Sequence, residues 1–195
     1  MKARLETRQM VLLSLLTAIV VVLQLMGAFV RFGPFAVSLV LMPIALGAAL
    51  IGPKAGAWLG LVFGIVVLII GDAAVFMPID PFGTILVVLL KGALAGFVAG
   101  IVYKLLAQKN QLAATALSAA VIPIINTGIF ILGIYVFFLP AVTQWGVAAG
   151  FTAVTEFIFL GMVGVNFLLE FALNIVFIPV IIRLIRIREA TSQAG

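Results

Sequence analysis

Residues 82–103 read FGTILVVLLKGALAGFVAGIVY, an apolar run broken by a single charge, Lys91, with glycines at 92, 96 and 100. As a helix rising ~1.5 Å per residue it reaches ~33 Å, enough to cross the ~30 Å hydrocarbon core of a bilayer. It offers water no polar face, so it belongs either in the middle of a large protein or in lipid. The composition of the whole chain decides between the two. Of 195 residues, 66% are hydrophobic and 9% are charged, with a mean hydropathy of +1.43. Soluble globular chains carry about 25% charged residues, so lipid is the solvent and a soluble domain is excluded.

The same ruler predicts six spans, at residues 10–30, 35–51, 55–70, 82–103, 112–139 and 155–182. The second and third are short and split by Gly52-Pro53-Lys54. Such punctuation is tolerated where neighbouring protein covers the backbone or where the segment lines a cavity. A polar break runs from Gly71 and Asp72 to Asp80 and Pro81, Pro123 falls inside the fifth span, and residues 140–152 form the last loop. The first span is too long for a cleaved signal peptide and lacks the small-residue cleavage pattern. Residues from 189 onward read as a short polar tail. No internal repeat of convincing length is visible. The expectation is one all-α integral membrane domain over residues 1–195, with six transmembrane helices.

Charge sets its orientation. With the N-terminus in the cytoplasm, the inside segments hold Lys2, Arg4, Arg8, Lys54, Lys104, Lys109, Arg183, Arg186 and Arg188, nine of the eleven cations. Arg31, Asp72 and Asp80 lie outside, and Lys91 is within a span. The positive-inside rule therefore places both termini in the cytoplasm and requires an even number of crossings. Cations gathered at the ends of apolar runs set topology, so the net charge of +5 does not point to nucleic acid.

The chain has neither Cys nor His, which excludes thiolate and imidazole metal sites, Ser-His and Cys-His nucleophile pairs and disulfides. There is no GxxxxGK[ST] phosphate cradle, so any ATP dependence must come from partners.

Two kinds of residue stand out inside the spans. Small residues form ridges: Gly56, Gly60 and Gly64 in the third span, and Gly92, Gly96 and Gly100 in the fourth. These let helix backbones approach closely, and holding the chain's own bundle together accounts for them. In the first span Ser14 and Ala18 make a shallower notch in a helix of Leu, Val and Ile, a shape suited either to internal packing or to docking on another membrane protein. Polar residues form the second kind, and each costs free energy in lipid unless it has a partner or a purpose. Lys91 lies about nine residues, or ~13 Å, into the fourth span, and Asn126 lies ~20 Å from the outer end of the fifth. Asn166, Glu170 and Asn174 recur every four residues on one face of the sixth. One reading is a Lys91–Glu170 ion pair with the Asn side chains satisfying backbone. The other is a cavity whose polar groups orient a small polar ligand. Trp145 and Tyr135 read as interfacial anchors, and Glu156 lies near the outer boundary.

Taken in order, the Ser14/Ala18 notch, Met42-Pro43-Ile44, Gly52-Pro53-Lys54-Ala55-Gly56 with Gly60 and Phe63-Gly64, Lys91-Gly92 with Ala95-Gly96, and Asn166-Phe167-Leu168-Leu169-Glu170 resemble the substrate-binding S components of energy-coupling factor (ECF) vitamin transporters, the pantothenate-type members most of all. The likeness covers nearly the whole chain. It implies a receptor in a prokaryotic cell membrane, not an enzyme, that captures a vitamin from outside. It also implies a transmembrane coupling protein (the T component) and two cytoplasmic ABC ATPases, which consume ATP and Mg while this chain binds no cofactor. Under that resemblance Ser14 and Ala18 dock on the coupling protein. Lys91, Asn126, Asn166, Glu170 and Asn174 bind ligand, and Arg31 and Phe32 belong to a loop that caps it. Val22 departs from the notch pattern, where another small residue would extend it. The alternative is a solitary transporter or channel for a small solute working without ATPases. A membrane enzyme using Glu170 and Lys91 as acid and base lacks a nucleophile or metal site to accompany them.

Overall fold

A computed structural model describes the backbone of residues 2–27, 31–32, 35–36 and 39–193, and the side chains of residues 7–27, 39–185 and 187. The described elements are helices apart from one short antiparallel pairing. They run α1 (Lys2–Gly27), β1 (Arg31–Phe32), β2 (Phe35–Ala36), α2 (Leu41–Leu50), α3 (Pro53–Ile70), α4 (Pro81–Leu106) and α5 (Gln111–Gly133). A π-helical stretch (Ile134–Phe138), α6 (Leu139–Ala148), α7 (Val154–Glu156), a second π stretch (Phe157–Val163), α8 (Gly164–Val176) and α9 (Ile178–Gln193) complete the chain. The tail expected from residue 189 is helical as far as it is described, because α9 continues through Gln193.

Among the described residues, five helical runs are long and apolar enough to cross a membrane: Thr7–Gly27, Pro53–Ile70, Pro81–Leu106, Gln111–Ala148 and Val154–Ile185. The remaining expected span, the second at residues 35–51, is a different object. Its first residues pair as strands, Phe32 with Phe35 and Arg31 with Ala36, and its helix is ten residues long, ~15 Å by the helical rise. That is half a bilayer.

The two glycine ridges face one another. A Cβ built on Gly56 or Gly96 would meet the carbonyl of the other, and the same holds for Gly60 and Gly92. One on Gly64 would meet the Val88 carbonyl, and one on Gly100 would meet Pro53. This series makes α3 and α4 antiparallel and brings their backbones into contact without intervening side chains, the arrangement by which membrane helices gain packing attraction. Ser118 Oγ donates to the Ala99 carbonyl at 2.9 Å, tying α5 to α4. On the other flank Trp58 Nε1 donates to Thr17 Oγ1 at 3.2 Å and Gln24 Nε2 to Asp72 Oδ2 at 3.0 Å, so α1 runs parallel to α3. Ile44, Ala48, Leu59, Phe63, Ala95 and Ile122 fill the space between these helices, and a second apolar cluster of Phe76, Ile134, Phe138, Val142 and Ile158 lies at the opposite end. Outward faces are apolar: Ile69, Phe82, Leu132, Val136 and Leu168 are all exposed, as lipid-facing residues should be.

Helix ends are set locally. Gly71, at φ 81°, takes the left-handed conformation that closes α3, and Asp80 opens α4 with Pro81 behind it. Asp80 Oδ1 accepts from Gly83 N at 2.9 Å, satisfying one of the backbone donors left orphaned at a helix start. Asp80→Ala is therefore expected to destabilise the purified protein by ~1 kcal/mol. Thermal unfolding in detergent checks this, and an unchanged midpoint would show that the cap carries no weight.

Candidate functional site

The ten-residue α2 packs low in the bundle, with Ile44 beside Gly96, Ala48 beside Gly56 and Gly47 beside Leu59. Above it, toward the Asp72 end of α3 and the Asp80 end of α4, the described residues between α1 and α2 form no further helix. A cavity opens there. Phe63 and Val67 of α3, Thr84, Val88 and Lys91 of α4, Asn126 and Phe130 of α5, and Asn166 and Glu170 of α8 line it, together with Gln24, Asp72 and Phe76. The volume open to the centres of water-sized molecules is about 80 Å³, several times the ~10–15 Å³ that one water requires.

Lys91 is half-buried, with Nζ 5.2 Å from the Phe130 ring centroid and 5.8 Å from that of Phe63. Both separations lie within cation–π range of ~6 Å. The carboxylates of Glu170 and Asp72 line the same cavity as this ammonium, so opposite charges share one space.

The buried face of α8 consists of Asn166, Glu170 and Asn174, at 8, 5 and 2% exposure, while Val165, Leu168, Ile175 and Val176 point outward. A helix with polar residues inside and apolar ones outside reverses the soluble pattern, and it aims its costly groups at the bundle interior. The stripe then divides. Asn166 and Glu170 line the cavity, whereas Asn174 does not; its Nδ2 donates to the Glu170 carbonyl one turn back, at 2.8 Å. Of the three residues expected to bind ligand, the structure places two in the cavity wall, because a four-residue step along the helix carries Asn174 beyond it.

Among the described residues, four buried amide oxygens have no hydrogen-bond partner: Gln24 Oε1, Asn126 Oδ1, Asn166 Oδ1 and Asn174 Oδ1. An unsatisfied buried acceptor costs ~1–3 kcal/mol, and the first three belong to side chains of the cavity wall. Gln24 was missed by the sequence reading, which described the first span as almost wholly apolar. The signal was present as an amide in an otherwise aliphatic stretch. Asp72, placed in the outer loop by sequence, also belongs to the wall. Trp145, read from sequence as an interfacial anchor, is half-buried with its ring 5.6 Å from that of Phe76, a residue of the cavity wall. Tyr135 and Glu156 are exposed. Both π-helical stretches contribute to the wall, through Phe138 and through Met162 and Val163, in keeping with the frequent placement of π-turns at functional sites.

Arg31 and Phe32 sit in β1, and their side chains lie outside the described residues. Ser14 and Ala18 are on the exposed face of α1. Ser14 Oγ donates to the Met10 carbonyl at 3.0 Å, so its hydroxyl is satisfied within its own helix and the notch presents a small, weakly polar surface between Val11, Leu15 and Val22.

A helical bundle with an apolar exterior and a polar, charge-bearing cavity defines a membrane-embedded binding protein. The chain belongs to the family of ECF transporter substrate-specific components, whose family model matches residues 8–182. No curated protein and no solved structure matches it. Membership makes it a substrate-specific subunit of an ECF transporter, a class of transport subunits rather than enzymes, in a multi-pass membrane protein.

Proposed function

We propose that this chain is the high-affinity receptor that captures a small water-soluble vitamin at the outer face of the membrane and delivers it to a transmembrane coupling protein driven by two cytoplasmic ABC ATPases. The cavity is the observation that carries the reading. One ammonium, two carboxylates and three amide side chains surround a space walled by Phe63, Phe76 and Phe130, the mixture of apolar walls and few convergent polar groups that fixes a small ligand. ATP and Mg are consumed by the partners.

In this reading the chain crosses the membrane six times with both ends in the cytoplasm. Two features support it. Helices α1 and α3 are parallel, so the segment between them must return across the bundle, and nine of eleven cations then fall on one side. Residues 31–32 and 35–36 of that return precede α2 and continue into the outer half of the bundle, where Arg31 and Phe32 cap the ligand.

Pantothenate is the first ligand to test. Lys91 supplies a cation for its carboxylate, and the amide oxygens of Asn126 and Asn166 accept from its hydroxyl and amide hydrogens. Glu170 holds Lys91 in place. Mass spectrometry of small molecules released from the gently purified protein tests the reading: a stoichiometric vitamin is expected. A ligand at 100 times Kd should also add ~2.7 kcal/mol of stability. An empty protein that no vitamin stabilises, and that moves solute in liposomes without ATPases, would replace the receptor with a solitary transporter.

The exposed α1 face is the docking surface for the coupling protein in this scheme. Ala18→Leu is expected to abolish co-purification of the coupling protein while ligand affinity stays within twofold, because the added side chain fills the notch but faces away from the cavity. Retained assembly would remove Ser14 and Ala18 from the docking role.

A further inference from the structure

Resting on the receptor reading, we propose that Gln24 is a ligand-contacting residue through which α1 senses whether the cavity is occupied. The buried face of α1 is Leu16, Val20, Gln24 and Gly27, and Gln24 is the one polar side chain on it, at 2% exposure. Its orientation is determined by chemistry. A carboxylate accepts hydrogen bonds, so the Nε2 that lies 3.0 Å from Asp72 Oδ2 is the donor end and the amide cannot be flipped. Oε1 is thereby fixed on the other side, in a residue of the cavity wall, with no partner.

That oxygen is also closed off from water. A ligand N–H or O–H reaches it only if Gln24 and the turn of α1 that carries it adjust toward the cavity, and the bond then formed rewards the adjustment. The opposite face of the same helix is the exposed stripe of Val11, Ser14, Leu15, Ala18 and Val22. A donor on the ligand thus repositions the helix whose outer face docks. Asn126 and Asn166, also of the cavity wall, carry further unpartnered acceptors enclosed to the same degree, so the ligand class is a molecule with several N–H or O–H donors.

The test uses the full chain in detergent. Pantothenate, thiamine, biotin and riboflavin are each titrated, and whichever stabilises the wild type becomes the probe. Gln24→Leu is expected to weaken its binding about tenfold, the size of one hydrogen bond, while the empty protein melts close to the wild-type temperature, since removal of a buried orphan acceptor offsets loss of the bond to Asp72. Gln24→Met, closer in shape, serves if the leucine variant does not fold. The absence of native Cys allows a second readout. With Ala18→Cys as the reporter on α1 and Ile69→Cys as the control on α3, the probe should change the alkylation rate at position 18 alone, and the Gln24 variants should lose that response. Binding within twofold of wild type, or weaker binding with the position 18 response intact, would overturn the proposal. If none of the four vitamins binds wild-type protein, the receptor reading fails first and this inference with it.

Discussion

Gly60→Leu is expected to destabilise the protein by at least ~3 kcal/mol, or to prevent its folding altogether. Even one carbon at this position runs into the Gly92 carbonyl, which is backbone and cannot rotate away. Overpacking a core against movable side chains costs ~1–3 kcal/mol, and here α3 and α4 would have to separate along their whole shared ridge, losing the Gly56–Gly96 and Gly64–Val88 approaches as well. Gly128→Ala provides the control, because a Cβ there meets nothing within 4 Å. Thermal unfolding should show Gly60→Leu melting ~6–12 °C lower, by the usual relation between free energy and midpoint for a chain of this size, with Gly128→Ala unchanged. A Gly60→Leu variant as stable as the control would mean that the ridges do not support the bundle.

If the ligand is the carboxylate-bearing vitamin proposed above, Lys91→Ala is expected to raise its Kd about a hundredfold, near the low end of the ~2–5 kcal/mol lost when one partner of a buried charge pair is truncated. Two effects add. The ligand carboxylate loses its countercharge, and the carboxylates of Glu170 and Asp72 remain in the same cavity with no ammonium to offset them. Lys91→Arg should recover part of the affinity because it keeps the charge, although the planar guanidinium cannot occupy the space over the Phe63 and Phe130 rings in the same way. Assembly with the coupling protein should survive, since Lys91 faces the cavity and the α1 notch faces outward. Isothermal titration together with co-purification checks both halves. If Lys91→Ala blocked assembly and Ala18→Leu blocked binding, the division of roles between cavity and α1 would be reversed.

The legible part of the site was the part that violates a composition rule. Lys91, Asn126, Asn166 and Glu170 are expensive in lipid, so each announces itself in an apolar run, and the structure brings all four to one cavity. Gln24 obeys the same rule and was passed over because it stands alone; its partner, Asp72, is forty-eight residues away. Asn174 announces itself equally and is not in the wall. Periodicity places it on the right face but does not say how far along the helix the cavity reaches. The aromatic wall of Phe63, Phe76 and Phe130 was invisible, since sixteen phenylalanines in an apolar chain do not declare which neighbours they share.

By itself the sequence determined that lipid is the solvent, that helices are the elements, which residues must turn inward, and where the close helix contact runs. These follow from per-residue costs: burying an unpaired charge, leaving backbone groups unsatisfied in hydrocarbon, or placing a Cβ where two backbones meet. The tertiary structure alone decided that the helix of the second segment is only ten residues long, that a cavity opens above it, and that α1 joins the wall through Gln24. Those features are differences in length and level between neighbouring helices. They depend on which side chains meet across the bundle, and no local propensity carries that information.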